Sequence, residues 1–271
     1  MALLEVRSFA ETILELPSAE EGLERWNHVL EPEFHQARYV NACLEASQAP
    51  LAFRLDDLDR LERLPSRGMQ PSYADDDTDP DSLSFHGMID AAGKEVDGDD
   101  GKRNICALKS VSVRWGYVDY SVARSVTPEF AASRGKRAAV QRNDLLINST
   151  GDGTIGRVAV YDEDFPAVVD GHVTIVRFKD PDLAWFTAAY LLTQQGQDQI
   201  YRYINGSSGQ VEIYPQDIAR IWVPLLEGDE FEGVVQAFRE AARKHRAFYK
   251  EMRAALNLLE PAVAAAEAST G

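Results

Sequence analysis

Between Asp144 and Phe178 lie three largely apolar runs, DLLINS (144–149), RVAVY (157–161) and HVTIVRF (172–178), with β-branched residues among them and glycine and aspartate between them. They read as strands and commit the middle of the chain to a sheet. Weaker strand patterns surround them: Ile105 to Leu108, Val111 with Val113, Tyr117 to Tyr120, Val211–Tyr214 and Ile221–Val223. Helical spacing governs the rest. Phe9, Ile13, Leu14 and Leu16, then Trp26, Val29 and Leu30, predict helix over most of the first 64 residues. Leu55, Leu58, Leu61 and Leu64 extend that expectation to Pro65. Asp182 to Tyr203 again predicts helix, with Trp185, Ala188, Leu192 and Ile200 on one face. The class is α+β, without internal repeats.

The last element is the most regular. Phe231, Val235, Phe238, Ala242, His245, Tyr249, Met252, Leu256 and Leu259 follow at steps of 4 and 3, an a/d seam that ends just before Pro261. So narrow a seam suits a two-helix coiled coil, with the second helix supplied by another copy of the chain or by a partner subunit. The plainer reading is a helix lying on its own domain, with His245 as a packing residue.

Charge sets limits on function. The 271 residues carry a formal net charge of -16, which disfavours binding a polyanion through overall charge. The charge is unevenly spread. Residues 71–101 hold ten acids against Lys94 and read as a mobile acidic loop (66–101), with a short strand near Leu83–Phe85. Residues 102–142 reverse the sign, with nine Lys or Arg facing only Asp119 and Glu129, a local +7. Such a run either pairs with the acidic stretch before it or meets phosphates. Two separated cysteines, Cys43 and Cys106, support neither a disulfide framework nor a zinc ribbon. The N-terminus has glutamates where a leader needs an apolar core, and no run approaches the roughly 20 apolar residues of a membrane span, so a soluble cytoplasmic protein is expected.

Catalytic signatures are missing. GDGTIG (151–156) matches a dinucleotide fingerprint, but RVAVY follows where that fingerprint needs a helix, so the glycines are expected in a hairpin. Histidines 28, 35, 86, 172 and 245 share no metal-ligand spacing. There is no GxSxG, HExxH or phosphate-loop motif, and no adenosylmethionine loop. The expectation is a non-enzyme with no cofactor or metal of its own.

The order of motifs from Leu108 to Pro224 resembles a target recognition domain of a type I restriction-modification specificity subunit. The string is RNDLLINSTGDGTIGRVAVYD (142–162), GHVTIVRF (171–178), an aromatic-rich helix (WFTAAYLLTQQGQDQI), INGSSGQVEI (204–213) and DIARIWVPL (217–225), followed by the long helix. Upstream, LEPEFHQARY (30–39) is similar to the stretch with which many such subunits open. Asn143-Asp144 replaces the usual Gly-Asp, and LEGDEFEG replaces a glutamine-bearing stretch after the proline. Full-length members carry two recognition domains and two long helices; this chain shows one of each, so it resembles a half-subunit. The implied layout is an N-terminal helical segment (1–30), a recognition domain (31–226) and the long helix (227–268).

The resemblance implies a protein that reads double-stranded DNA and performs no chemistry itself. It would hold an adenine-N6 methyltransferase subunit over the target and, in systems that cleave, a translocating restriction subunit, as part of phage defence. Adenosylmethionine would belong to the methyltransferase. Phosphate contacts are expected from Lys102, Arg103, Lys109, Arg114, Arg134, Lys136, Arg137 and Arg142. Arg114, Trp115, Tyr117, Arg124 and Gln210 suit base readout. The turns at Ser149–Thr154 and Asn205–Ser208, the latter with Ser207 and Ser208, offer backbone N–H groups and hydroxyls to phosphates, whereas Arg157 and His172 are expected to hold strands together. Two competing classes remain: an acidic module that imitates DNA and occupies a methyltransferase or nuclease partner, and an enzyme with an unrecognised site.

Overall fold

The computed structural model describes residues 32–71, 73, 105–133, 137–206 and 211–257. The N-terminal helical segment, the strand near Leu83–Phe85, most of the acidic loop and Leu259 lie outside the described residues.

The three apolar runs form the centre. β6 (Leu145–Asn148) lies between β7 (Val158–Val160) and β9 (Val173–Val176), both antiparallel to it, and β2 (Ser66–Arg67) extends the sheet beyond β9. The register pairs Leu145 with Val160 and Val176, and Asn148 with Val173. Every residue of β6 and β9 is buried, because the sheet is covered on both faces. Leu145 and Ile147 point into a core shared with helices, while Leu146, one residue out of phase, faces a second sheet.

That second sheet runs β4 (Arg124–Val126), β3 (Ile105–Leu108), β8 (Ala167–Val169), β5 (Ala139–Val140). β3 and β8 are parallel and the other pairs antiparallel. A third ladder, β1 (Phe53–Arg54) with β10 (Trp222–Val223), joins early and late parts of the domain through Phe53↔Val223.

The helices α1 (Ala37–Ser47), α2 (Pro128–Ser133), α3 (Pro181–Leu191), α4 (Gln194–Arg202), α5 (Pro215–Ile218) and α6 (Gly228–Asn257) complete the fold. α3 starts at Asp180, whose carboxylate accepts from Asp182 N, with Pro181 in the first turn. Leu183, Ala184, Trp185, Phe186, Ala188 and Leu191 are all buried, so α3 is the hub on which α6 packs.

Three expectations change. The helix expected from Asp182 to Tyr203 is two helices, because the Thr193 hydroxyl caps a new start by accepting from Gly196 N at 3.2 Å. The chain folds back so tightly there that a Cβ on Gly196 would lie 2.4 Å from Tyr190 O. The helix expected over Phe53–Leu64 is a short strand followed by turns. Asp57 Oδ1 accepts from Asp59 N, and Leu55 and Leu61 are buried while Leu58 and Leu64 are exposed. Val111 and Tyr120 lie in short 3-10 turns, Ser110–Ser112 and Tyr120–Val122, rather than strands.

The seam helix has its 30 residues. Its first turns dock on the chain's own domain. Val235 is buried, Phe231 lies against Phe186 (ring centroids 5.1 Å), Phe238 meets Trp185 edge-on, and Ala242 packs on the same core. The expected open seam is thus occupied here by α3, whose aromatic face supplies the partner surface.

Candidate nucleic-acid interface

The two ends of the β2-β9-β6-β7 sheet differ in chemistry. At one end the β6–β7 hairpin turn carries Gly151, Gly153 and Gly156, all at positive φ, as a hairpin requires and a Rossmann loop does not. Asn148 Nδ2 and Arg157 Nη2 donate to the turn carbonyls Thr154 O and Gly153 O at 2.9 and 3.0 Å. Gln197, from α4, donates to Gly156 O, leaving no room for a Cβ on Gly156 (2.8 Å from Gln197 Oε1). His172 Nδ1 and Thr150 Oγ1 are 2.7 Å apart, and Ser149 Oγ and Thr174 Oγ1 2.6 Å. Arg157 and His172 therefore bind the turn together. Arg67 pairs with Glu212 and donates to Ile213 O, so the segment at Glu212, bridged to Thr150 and Asn205, is tied to the same end.

At the other end, buried Asp144 is gripped by Arg177 through Nε and Nη2, each at 2.7 Å, and Arg177 Nη2 also reaches Ala139 O. Asn143, which stands where the resembled motif has glycine, sits at φ 70, and its Oδ1 accepts from Trp185 Nε1 at 3.1 Å. An asparagine tolerates that left-handed backbone and adds a bond to α3 that glycine lacks.

The +7 segment frames the surface beside these strands. A tight turn from Arg114 to Tyr117 closes with Arg114 N donating to Tyr117 O, and Gly116 at φ 87 donates to Val158 O. Trp115 stands at its apex, 51% exposed. Arg114 is 3.3 Å from Asp119, whose carboxylate also accepts from Ser121 N and Oγ. Lys109 Nζ lies over the Tyr73 ring at 5.5 Å.

Several candidate readers are engaged elsewhere. Tyr117 stacks on His245 of α6 (3.6 Å) and approaches Tyr249 (6.0 Å), so this aromatic fastens the turn to the long helix. Arg124 is buried, its guanidinium 4.0 Å from the Tyr73 ring centroid. Arg142 pairs with Asp162 and Asp164, and Arg246 of α6 shares Asp162 and adds Glu163. That network lies between β7 and β8, not in the acidic stretch before the basic run. Arg137 is exposed and makes no ion pair among the described residues. Lys102, Arg103, Arg134, Lys136, Ser207, Ser208 and Gln210 lie outside the described residues. Arg63, which has no motif signal, emerges only in three dimensions, beside Arg177. No group of three or more metal-ligating side chains converges among the described residues, and no described helix is long and apolar enough to cross a membrane.

No protein-family model matches the chain, nor does any curated protein sequence. Solved structures do. The type IIG restriction endonuclease BpuSI superposes with a TM-score of 0.52 at 12% identity, covering 82% of this chain and 30% of that one. The type I restriction-modification S subunit from M. genitalium gives 0.39 at 12% identity over 79% of this chain and 43% of that one. The HsdS subunit from Thermoanaerobacter tengcongensis gives 0.38 at 12% identity over 86% and 50%. The chain thus spans 30% to 50% of the length of these proteins. Its structural neighbours are restriction-modification proteins, type I specificity subunits among them, and the fold is one that a type IIG restriction endonuclease contains.

Proposed function

We propose that this chain is a sequence-specific DNA-recognition subunit of a restriction-modification or related phage-defence system. It positions an adenine methyltransferase subunit and, where the system cleaves, a restriction subunit on the target, and performs no chemistry of its own. The observation that carries the reading is the fold, shared over 82% of the chain with a type IIG restriction endonuclease, and the order of five sequence motifs supports the same class of system. Fold alone does not fix function, so the surface must agree. The feature that supports the reading is Trp115, 51% exposed at the apex of a turn that Gly116 pins to Val158 O, with Arg114 next to it in the chain.

Trp115 is the side chain best placed to enter a groove, and the fixed turn beneath it is what a reading element needs. The distal part of α6 is the proposed assembly surface. Met252 continues the seam beyond the docked turns and remains exposed, together with Phe248, while half-exposed Tyr249 borders them from its stack with His245 and Tyr117. A second long helix, from another copy or from a partner subunit, would cover them. Methylome mapping in cells with the intact gene cluster, with and without this gene, tests the function. The expected result is one adenine-methylated motif that disappears on deletion and returns with the wild-type chain but not with Trp115→Ala. Methylation unchanged by deletion would favour the competing reading, in which the -16 chain occupies a partner in place of DNA.

A further inference from the structure

The turn that carries Trp115 has two anchors, on the two residues that follow it. Gly116 N donates to Val158 O at 2.8 Å, which ties the turn to β7. Tyr117 and His245 have ring centroids 3.6 Å apart, and Tyr117 and Tyr249 6.0 Å, which ties it to α6. The same helix touches the turn a second time, since a Cβ on Gly116 would stand 3.4 Å from Cζ of Phe238. The turn's own bonds, Arg114 N to Tyr117 O and the bridge between Val113 and Val118, close its shape without setting its direction. One hydrogen bond to a strand leaves a turn free to tilt about it; a second attachment removes that freedom. The two anchors are themselves linked. Arg246, next to His245, pairs with Asp162 at 2.6 Å and Glu163 at 3.2 Å, just past the end of β7. Turn, strand and helix form a closed triangle.

Phe238, His245 and Tyr249 are seam positions, which spacing alone assigns to a partner helix. We infer that His245 is a positioning residue for target reading. Its ring, seated against Tyr117, holds the turn so that Trp115 projects in one direction, and this stretch of the α6 seam serves recognition rather than assembly. A side chain already held in its bound orientation has less freedom left to lose on binding. What Trp115 does rests on the DNA-recognition reading; how its turn is held does not.

The test uses the full chain labelled with 5-fluorotryptophan, as wild type, His245→Ala, which removes the ring, and His245→Phe, which keeps one. Trp115→Phe assigns the Trp115 fluorine resonance. In His245→Ala that resonance should sharpen and move towards the position of free fluorotryptophan, while the Trp185 and Trp222 resonances stay in place and report an intact fold. Binding is then compared on the duplex that carries the methylated motif and on duplexes with one base pair changed. The wild type should reject a change at the pair read by Trp115 about fivefold to a hundredfold. His245→Ala should lose most of that preference, as Trp115→Ala does, at an unchanged salt slope, because no phosphate contact is removed. His245→Phe should restore both the resonance and the preference. A Trp115 resonance that does not move in His245→Ala overturns the inference, and so does a shift shared by Trp185 and Trp222, which would mark general unfolding. A mobile Trp115 with wild-type preference overturns the role in reading. If the wild type binds no duplex, the DNA-recognition reading fails, while the fluorine spectra still decide how the turn is held.

Discussion

At the edge of the β1–β10 ladder the side chain of Gln199 supplies the bonds a further strand would. Its Nε2 donates to Trp222 O at 2.8 Å and its Oε1 accepts from Trp222 N at 2.9 Å. Gln199 is buried, and Tyr190 Oη lies 2.6 Å from the same Nε2. Replacing it with leucine keeps the volume and leaves a backbone N–H and C=O without partners. At about 1–3 kcal/mol for an unsatisfied group, Gln199→Leu should lose about 3 kcal/mol of stability in urea titration, with an unchanged m-value. A loss below about 0.5 kcal/mol would mean that water reaches Trp222. Sequence gives no hint of this residue: glutamine reads as surface, and only the fold places it against an edge strand.

At the scale of elements, legibility follows how local the cause is. DLLIN, RVAVY and HVTIV are readable because burial on both faces demands short, nearly continuous apolar runs. Phe53–Leu64 misleads because leucines three apart mimic a helix, while Asp57 and Asp59 choose a turn through a side-chain bond that periodicity ignores. The α6 seam is visible, but which surface takes it is not, because Trp185 and Phe186 belong to another helix. Its docked and free parts make separate predictions. Burial lowers the His245 pKa, with Asp119 opposing. A histidine whose folded pKa lies below the unfolded value, about 6.5, loses stability as pH falls through that unfolded value and keeps it fully above. Acidification from about pH 7.5 to 5.5 should therefore loosen the Tyr117–His245–Tyr249 stack. The readout is hydrogen exchange at residues 114–118, corrected for intrinsic rate, and His245→Phe should remove the pH dependence. In contrast, Phe248→Ser with Met252→Ser touches only exposed side chains. Unfolding should stay within about 0.5 kcal/mol of wild type, while sedimentation should show loss of whatever helix-mediated assembly the native chain makes.

For the molecule as a whole, a charge of -16 repels DNA at long range, so any duplex affinity must come from a concentrated face. Reversing Arg134, Lys136 and Arg137 to glutamate should weaken duplex binding and lower the salt slope by about one for each phosphate that is no longer neutralised. An unchanged slope would return the basic run to the role of partner for the acidic stretch. Much of this face is legible as composition, in the +7 run, yet the individual assignments are not. Arg142 and Arg124 have the right charge but are held by Asp162 and Asp164, or buried in a sheet. The pairing of Phe53 with Val223 has a different consequence. The partners stand far apart in the chain, so closing this pair before the rest has folded would carry a large loop-entropy cost. The ladder is a clasp that fastens once the sheets and α3 between its strands are in place.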